Sequence, residues 1–408
     1  MIRVASVRPF VTLCAVLAVL PGRATAQGYP TVDTGVVITR SSAETVRRFQ
    51  ALAPHLVQQA QIKTGDLVSI SGGPTLVPEM EALAVEVQKA GGFPMLFLDS
   101  PHLTRALYAE APDEAFKKIP TTYERFAAQN VAVAFVLPNG EDFASLRQVD
   151  RRAKVDEAFA KAGSATQAER NKGMTRTLLI ELPTPSDTAS IQMDYAAYEK
   201  MSWDAIEADY SAMAAKGQEI KRTLESAKRL HITSPEGTDF TVELGKRPVI
   251  VNAGLVAPGT KGTTAARTAG LPGGTVRFAP MESSANGKIR AAEDQCTKAV
   301  RDESLDVRNG MPENISAASD EQCLKDSFKN AGRFGSVVIG LNSGIHYDHI
   351  PSYGPQLETS AGLVSLNFGS NQGLGGTNPP ISGGWTVPLL NATVEADGKV
   401  IVKDGKLQ

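Results

Sequence analysis

The stretch DLVSISGGPTLVPEMEALAVEVQKAGGFPMLFL, residues 66–98, decides the fold class. Asp66 to Ser71 reads as a strand and ends in Gly72-Gly73-Pro74. Leu76 to Lys89 reads as a helix, with Met80, Leu83, Ala84 and Val87 on one face at helical spacing. Gly91-Gly92 stops it, because glycine takes the left-handed backbone that closes a helix. Phe93 to Leu98 is the next strand. Strand, helix, strand at this spacing implies a parallel pair joined by a right-handed crossover. The glycine pair also invites a phosphate-loop reading. No G-x-G-x-x-G and no Gly-Lys-Ser/Thr follows, so tight-turn glycines are the better account.

Working outward, Val46, Phe49, Ala53 and Leu56 recur at helix spacing ahead of this unit. Val131–Leu137 and Arg176–Leu182 are further buried-strand candidates. Residues 195–230 carry a long amphipathic helix or helix pair. Its seam is Ile206, Tyr210, Met213, Gly217, Ile220, Leu224 and Ala227. From His231 the pattern switches to strands, with Gly237-Thr-Asp as a turn, and beyond about 245 the chain is short strands and glycine-rich turns. Residues 369–384 hold six glycines, which frees the backbone there. The expected fold is therefore a two-domain α/β protein. An N-terminal open, parallel-type sheet with helices spans 27–240, and a C-terminal, mostly β domain with glycine-rich loops spans 241–408.

The chain has 408 residues, 42% hydrophobic and 21% charged, enough apolar content to fill ordinary cores. A formal net charge of −2 gives no broad footprint for nucleic acid. The start of the chain reads as a signal peptide over 1–26. Arg3 and Arg8 precede the apolar run Phe10–Leu20, and Ala24-Thr25-Ala26 offers small residues for cleavage near Gln27. The run is too short for a helix that spans a membrane, and no other stretch predicts a stable span. The protein is expected to be exported, to the periplasm or as a secreted protein. Cleavage removes Cys14 and leaves Cys296 and Cys323. In an oxidising compartment this pair is expected to be bridged, two buried thiols being the alternative.

Several segments taken in order resemble one family. They are Ile62-Lys-Thr-Gly-Asp-Leu-Val-Ser-Ile-Ser-Gly, Glu81-Ala-Leu-Ala-Val-Glu-Val-Gln-Lys-Ala-Gly-Gly and Leu182-Pro-Thr-Pro. Pro235-Glu-Gly-Thr-Asp-Phe, Pro272-Gly-Gly-Thr-Val-Arg-Phe-Ala-Pro and Lys399-Val-Ile-Val-Lys-Asp-Gly-Lys-Leu follow. Together, over roughly 40–408, they resemble the thermophilic metalloaminopeptidases of the aminopeptidase T and aminopeptidase S type. The resemblance implies a metallopeptidase fold, hydrolysis of peptide or amide bonds through two zinc-type metals, and a homodimer. The chain departs from that pattern where the family places its metal ligands. Thr275, Ser336, Ser365, Gln372 and Gly384-Trp385-Thr386 stand at the positions of glutamates, histidines, a tyrosine and an aspartate. Hydroxyls, an amide and bare backbone leave the charge of two divalent ions uncompensated.

Other constellations are few. His346, Asp348 and His349 cluster in Ile345-His-Tyr-Asp-His-Ile and could ligate one divalent ion such as zinc, with an open position for water. A polar loop with locally satisfied histidines, or a non-metal ligand-binding histidine, is the alternative. Glu282, beside the Pro272–Pro280 segment, is a candidate catalytic acid or base, a surface carboxylate being the other reading. Lys261, Arg267 and Arg277 bracket the same region and could hold an anionic group or form a solvated basic edge. A serine-hydrolase reading has no G-x-S-x-G elbow to rest on; Ser343 and Ser382 lie in turns. Two functions lead as expectations, ahead of a reassigned enzyme in which the metal-site fold serves different chemistry. One is an exported, aminopeptidase-like hydrolase with a relocated or single-metal site. The alternative is a metal-free, catalytically inactive family member that binds a peptide or small molecule.

Overall fold

The computed structural model describes residues 42–117, 121–138, 169–184, 193–254, 256, 258–262, 264–296, 299–346, 357–379, 381 and 384–408. The segment 1–26, expected from the sequence to be a signal peptide, therefore lies outside the described residues.

Helix α1 (Ala43–Gln59) starts where Ser42 accepts a hydrogen bond from the Thr45 N–H at 2.9 Å. Strand β1 (Leu67–Gly72) buries Val68 and Ile70 beneath α2 (Val77–Lys89), which turns Met80, Leu83 and Val87 onto the sheet. Strand β2 (Phe93–Leu98) pairs in parallel with β1, the crossover that residues 66–98 predict. Short helices α3 (Pro101–Glu110), α4 (Asp113–Lys117) and α5 (Thr121–Asn130) lead to β3 (Val131–Val136), and β4 (Arg176–Ile180) follows. The predicted helix pair is α6 (Tyr195–Ile206) and α7 (Tyr210–Ser226).

The remainder is mostly β. Strands β5 (Arg229–Thr233) and β6 (Asp239–Glu243) form the expected hairpin, and β7 (Val249–Asn252), β8 (Thr268–Leu271) and β9 (Thr275–Phe278) follow. A long hairpin of β10 (Asn286–Gln295) and β11 (Ala299–Arg308), then β12 (Met311–Ser316) and helix α8 (Glu321–Ala331), comes next. The chain closes with β13 (Phe334–Gly340), β14 (Val364–Phe368), β15 (Trp385–Leu389), β16 (Thr393–Ala396), β17 (Lys399–Lys403) and β18 (Lys406–Leu407).

Three sheets result. The parallel sheet has the order β2-β1-β3-β4-β8, an eight-stranded sheet runs β12-β11-β10-β6-β5-β16-β17-β18, and a five-stranded antiparallel sheet runs β15-β14-β13-β9-β7. Sheet membership interleaves along the chain. Strand β8, from the later half, completes the parallel sheet beside β4, while the 240/241 division expected from the sequence falls inside β6. One large apolar core joins both antiparallel sheets with α7 and α8; another lies under the parallel sheet. Gly217 explains how α7 comes so close to β7: a Cβ there would stand 2.4 Å from a methyl carbon of Val251. Cys296, just past β10, is disulfide-bonded to Cys323 in the first turn of α8, with Cα atoms 6.2 Å apart. Among the described residues, no helix is long and apolar enough to cross a membrane.

Candidate functional site: the polar face of the antiparallel sheet

The five-stranded antiparallel sheet has two faces of opposite chemistry. Val276, Phe278, Val337, Ile339, Leu366, Phe368, Val387 and Leu389 point into the large core. Strand alternation sends their neighbours to the other side. The register makes rows there. Ser336 stands beside Asn367, and Asn367 beside Thr386. Arg277 stands beside Val338, and Val338 beside Ser365. Thr275 stands beside Gly340 on one flank and Asn252 on the other. Four positions where the family resemblance expects metal ligands, Thr275, Ser336, Ser365 and Thr386, thus share one face. Trp385 faces the core, and Gln372 is exposed in a short turn.

Among the described residues, one carboxylate reaches this face. Glu358 lies in the helical turn Leu357–Thr359, whose chain runs directly over β13. Gly340 permits this, since a Cβ there would fall 1.9 Å from the Ser360 carbonyl oxygen. Arg277 Nη2 meets Glu358 Oε2 at 2.7 Å, and Asn367 Nδ2 donates to Glu358 Oε1 at 3.2 Å. The Thr386 hydroxyl donates to Asn367 Oδ1 and so holds the amide with its nitrogen toward Glu358. Glu358, Thr275, Ser336, Ser365 and Thr386 are all buried, and the Arg277 side chain is about a third exposed.

Glu282 sits in a different, closed network. Its Oε2 pairs with Arg247 Nη2 at 2.9 Å, while Oε1 accepts from Asn371 Nδ2 and from the Thr377 N–H, each at 2.7 Å. Burial opposes its ionisation, yet the bonds from Arg247, Thr377 and Asn371 outweigh it and bring the carboxyl down to about 2. At 3% exposure it is not the surface carboxylate that the sequence suggests as the alternative to catalysis. Asn371 also donates to the Gly335 carbonyl. Asn378 gives its N–H to Asn371 Oδ1 and its Nδ2 to the carbonyls of Phe334 and Gly369. The glycine-rich segment is therefore pinned to β13 by side chains that glycine spacing does not reveal.

Of the predicted metal-binding loop, His346 is exposed, whereas Asp348 and His349 lie outside the described residues. The three cations that bracket the region separate. Lys261 is exposed, and Arg267 is buried and donates to the carbonyls of Thr175, Gly262 and Arg170. Only Arg277 faces the polar side of the sheet. Arg277 came from the sequence, but nothing flagged Glu358 or Asn367. The alternation Ser365-Leu-Asn-Phe could have placed Asn367 beside Ser365, whereas Glu358 arrives from a turn without a motif.

A model of the thermophilic metalloprotease family, M29, matches residues 45–350. The chain belongs to that family. Solved structures agree on the fold of this metalloprotease-family chain. Wild-type AmpT from Thermus thermophilus is similar at a TM-score of 0.66 and 17% identity, covering 89% of this chain and 99% of that one. The 2,5-dihydroxypyridine dioxygenase from Pseudomonas putida KT2440 is similar at a TM-score of 0.56 and 15% identity, covering 89% and 97%. None of the curated protein sequences matches the chain.

The residues present do not fit the pair of metals that the family resemblance implies. Two neighbouring divalent ions need several anionic oxygens or imidazoles. Among the described residues, the polar face offers neutral hydroxyls, one amide and one carboxylate already shared by Arg277 and Asn367. Among the described residues, one group of three potential metal donors comes together, Cys296, Asp320 and Cys323, and its two sulfurs are joined to each other.

Proposed function

We propose that this chain is an exported, metal-free member of the metalloprotease family that binds a peptide or another small polar molecule on the polar face of the antiparallel sheet. The observation that carries this is the donor set. Thr275, Ser336, Ser365 and Thr386 line the face as neutral hydroxyls, and the one carboxylate on it among the described residues is neutralised by Arg277 at 2.7 Å. Such a surface hydrogen-bonds a polar ligand well and compensates a dication poorly. Membership of a metalloprotease family together with a fold similar to that of a dioxygenase supports arguing function from side chains, since one fold hosts unrelated chemistries. The Cys296–Cys323 disulfide and the N-terminal apolar run support export.

The test is metal analysis of the purified mature chain, joined to an assay of aminoacyl amides with and without zinc or cobalt. Thermal unfolding is then followed against short peptides. Sub-stoichiometric metal, no turnover and saturable stabilisation by a peptide are expected. Stoichiometric metal that disappears in His346→Ala and His349→Ala, together with turnover, would overturn the proposal and establish a hydrolase with a single-metal site at His346, Asp348 and His349.

A further inference from the structure

The polar face carries more hydrogen-bond donors than Glu358 consumes. Arg277 uses Nη2 on Glu358, while its Nε is buried with no acceptor among the described residues. Ser365 Oγ and Thr275 Oγ1 are likewise buried and unpartnered, in residues that are 0% and 1% exposed. All three share one face by register: Thr275 lies two residues from Arg277 on β9, and Ser365 lies across Val338 from it. Leaving such groups unpaired costs roughly 1–3 kcal/mol each in a protein interior. They sit where family resemblance puts the reaction centre. A surplus of donors around one guanidinium is the complement of an anionic acceptor.

We infer, on the strength of the metal-free reading above, that this face is a carboxylate-binding site and that Glu358 is its internal occupant. A ligand carboxylate would take the Arg277 guanidinium and the Ser365 hydroxyl, displacing the side chain of Glu358, while the Thr275 hydroxyl, two residues along β9 and two strands from Ser365, would face the rest of the ligand. A singly charged, planar anion is the matching class. Among the described residues the face offers one guanidinium and otherwise neutral donors, which suits a carboxylate and falls short of what a phosphate dianion needs. The free C-terminus of a short peptide or a small organic acid supplies such a group. Asn367, held by Thr386, remains to receive whichever carboxylate is present.

The test compares N-acetylglycine with N-acetylglycinamide, which differ in charge and little in shape. Calorimetric titration and thermal unfolding of the full mature chain give the readout. Saturable binding of the acid, at least about tenfold tighter than of the amide, is expected for a charge-assisted guanidinium–carboxylate pair. Arg277→Gln should remove that preference. Glu358→Gln should tighten binding of the acid by about tenfold, because the competing internal charge is gone. Ser365→Ala loses no internal hydrogen bond, so it should fold normally and weaken binding several-fold, which keeps the inference testable should Glu358→Gln fail to fold. Equal binding of acid and amide, or a folded Glu358→Gln that binds the acid no better, would overturn the inference. Binding of the amide as tightly as the acid by a chain free of metal would sink the carboxylate site and leave the metal-free reading standing. Stoichiometric metal with turnover would sink both.

Discussion

Two buried polar clusters flank strand β13, and they differ in how completely they are closed. Around Glu282 each carboxylate oxygen has a donor, and the donors themselves are engaged. Arg247 also bonds the Pro280 carbonyl at 2.6 Å, and Asn371 also bonds Gly335. Around Glu358 a guanidinium nitrogen and two hydroxyls are left over. A saturated network rigidifies what it joins, here the glycine-rich segment and β13. An unsaturated one persists against its own cost and points to a missing partner. The contrast separates a structural carboxylate from a ligand site better than residue type does, since both clusters hold one Glu and one Arg.

Mutations break this comparison most severely at Glu282. Glu282→Ala takes away the carboxylate that Arg247, Asn371 and the Thr377 N–H share and leaves the Arg247 charge buried without its counter-ion, and a loss of about 3–5 kcal/mol in urea unfolding is expected. A loss below about 1 kcal/mol would show that the cluster is not the clamp its geometry describes. Breaking the Cys296–Cys323 bridge with a Cys296→Ser/Cys323→Ser double variant should cost about 3 kcal/mol in the chain-entropy model. That variant should leave the acid-versus-amide preference unchanged, because the bridge ties α8 to the long hairpin rather than to the polar face.

pH resolves the carboxylates by sign. Glu282 moves from 4.5 to about 2 on folding, so it binds fewer protons folded than unfolded in that window. Its contribution is complete above 4.5 and is lost as pH falls toward about 2, worth roughly 3 kcal/mol by linkage. Glu303 behaves oppositely. Complete burial, then the neighbouring Asp294, push its carboxyl well above the ordinary value, while Trp385 Nε1 donates to it at 3.1 Å. Folded chains therefore hold that proton longer, and stability falls as pH climbs above the ordinary carboxyl range. Glu282→Gln should flatten the acid limb of a stability–pH curve, and Glu303→Gln the alkaline limb; exchanged limbs would refute both assignments.

The smallest effects are expected at the leftover donors. Ser365→Ala and Thr275→Val remove buried hydroxyls without partners, so stability should change by less than about 1 kcal/mol, with a gain as plausible as a loss. A cost near that of Glu282→Ala would mean that these hydroxyls are satisfied and the contrast is false.

Sequence patterning reached most of the fold and little of the site. The parallel sheet was legible because β1, α2 and β2 carry their periodicity in one unbroken stretch. The helix pair was legible because its seam runs from Ile206 to Leu224. The disulfide followed from counting the cysteines beyond the N-terminal apolar run, Cys296 and Cys323. The long β10–β11 hairpin was missed: Asp302 at φ 52° and a switch of alternation bring both Asp294 and Glu303 inward, where a strict period of two would expose one of them. Glu358 was missed for another reason. It reaches the face by crossing Gly340, and a crossing between segments leaves no local pattern.

The order of strands has a practical consequence for anyone shortening this polypeptide. A fragment that stops near residue 240 would carry β1 to β4 yet strip β8 from the flank of β4, baring a ladder of amides and carbonyls next to apolar side chains. Such a product would aggregate through that raw edge, so neither half is a sound unit for separate production.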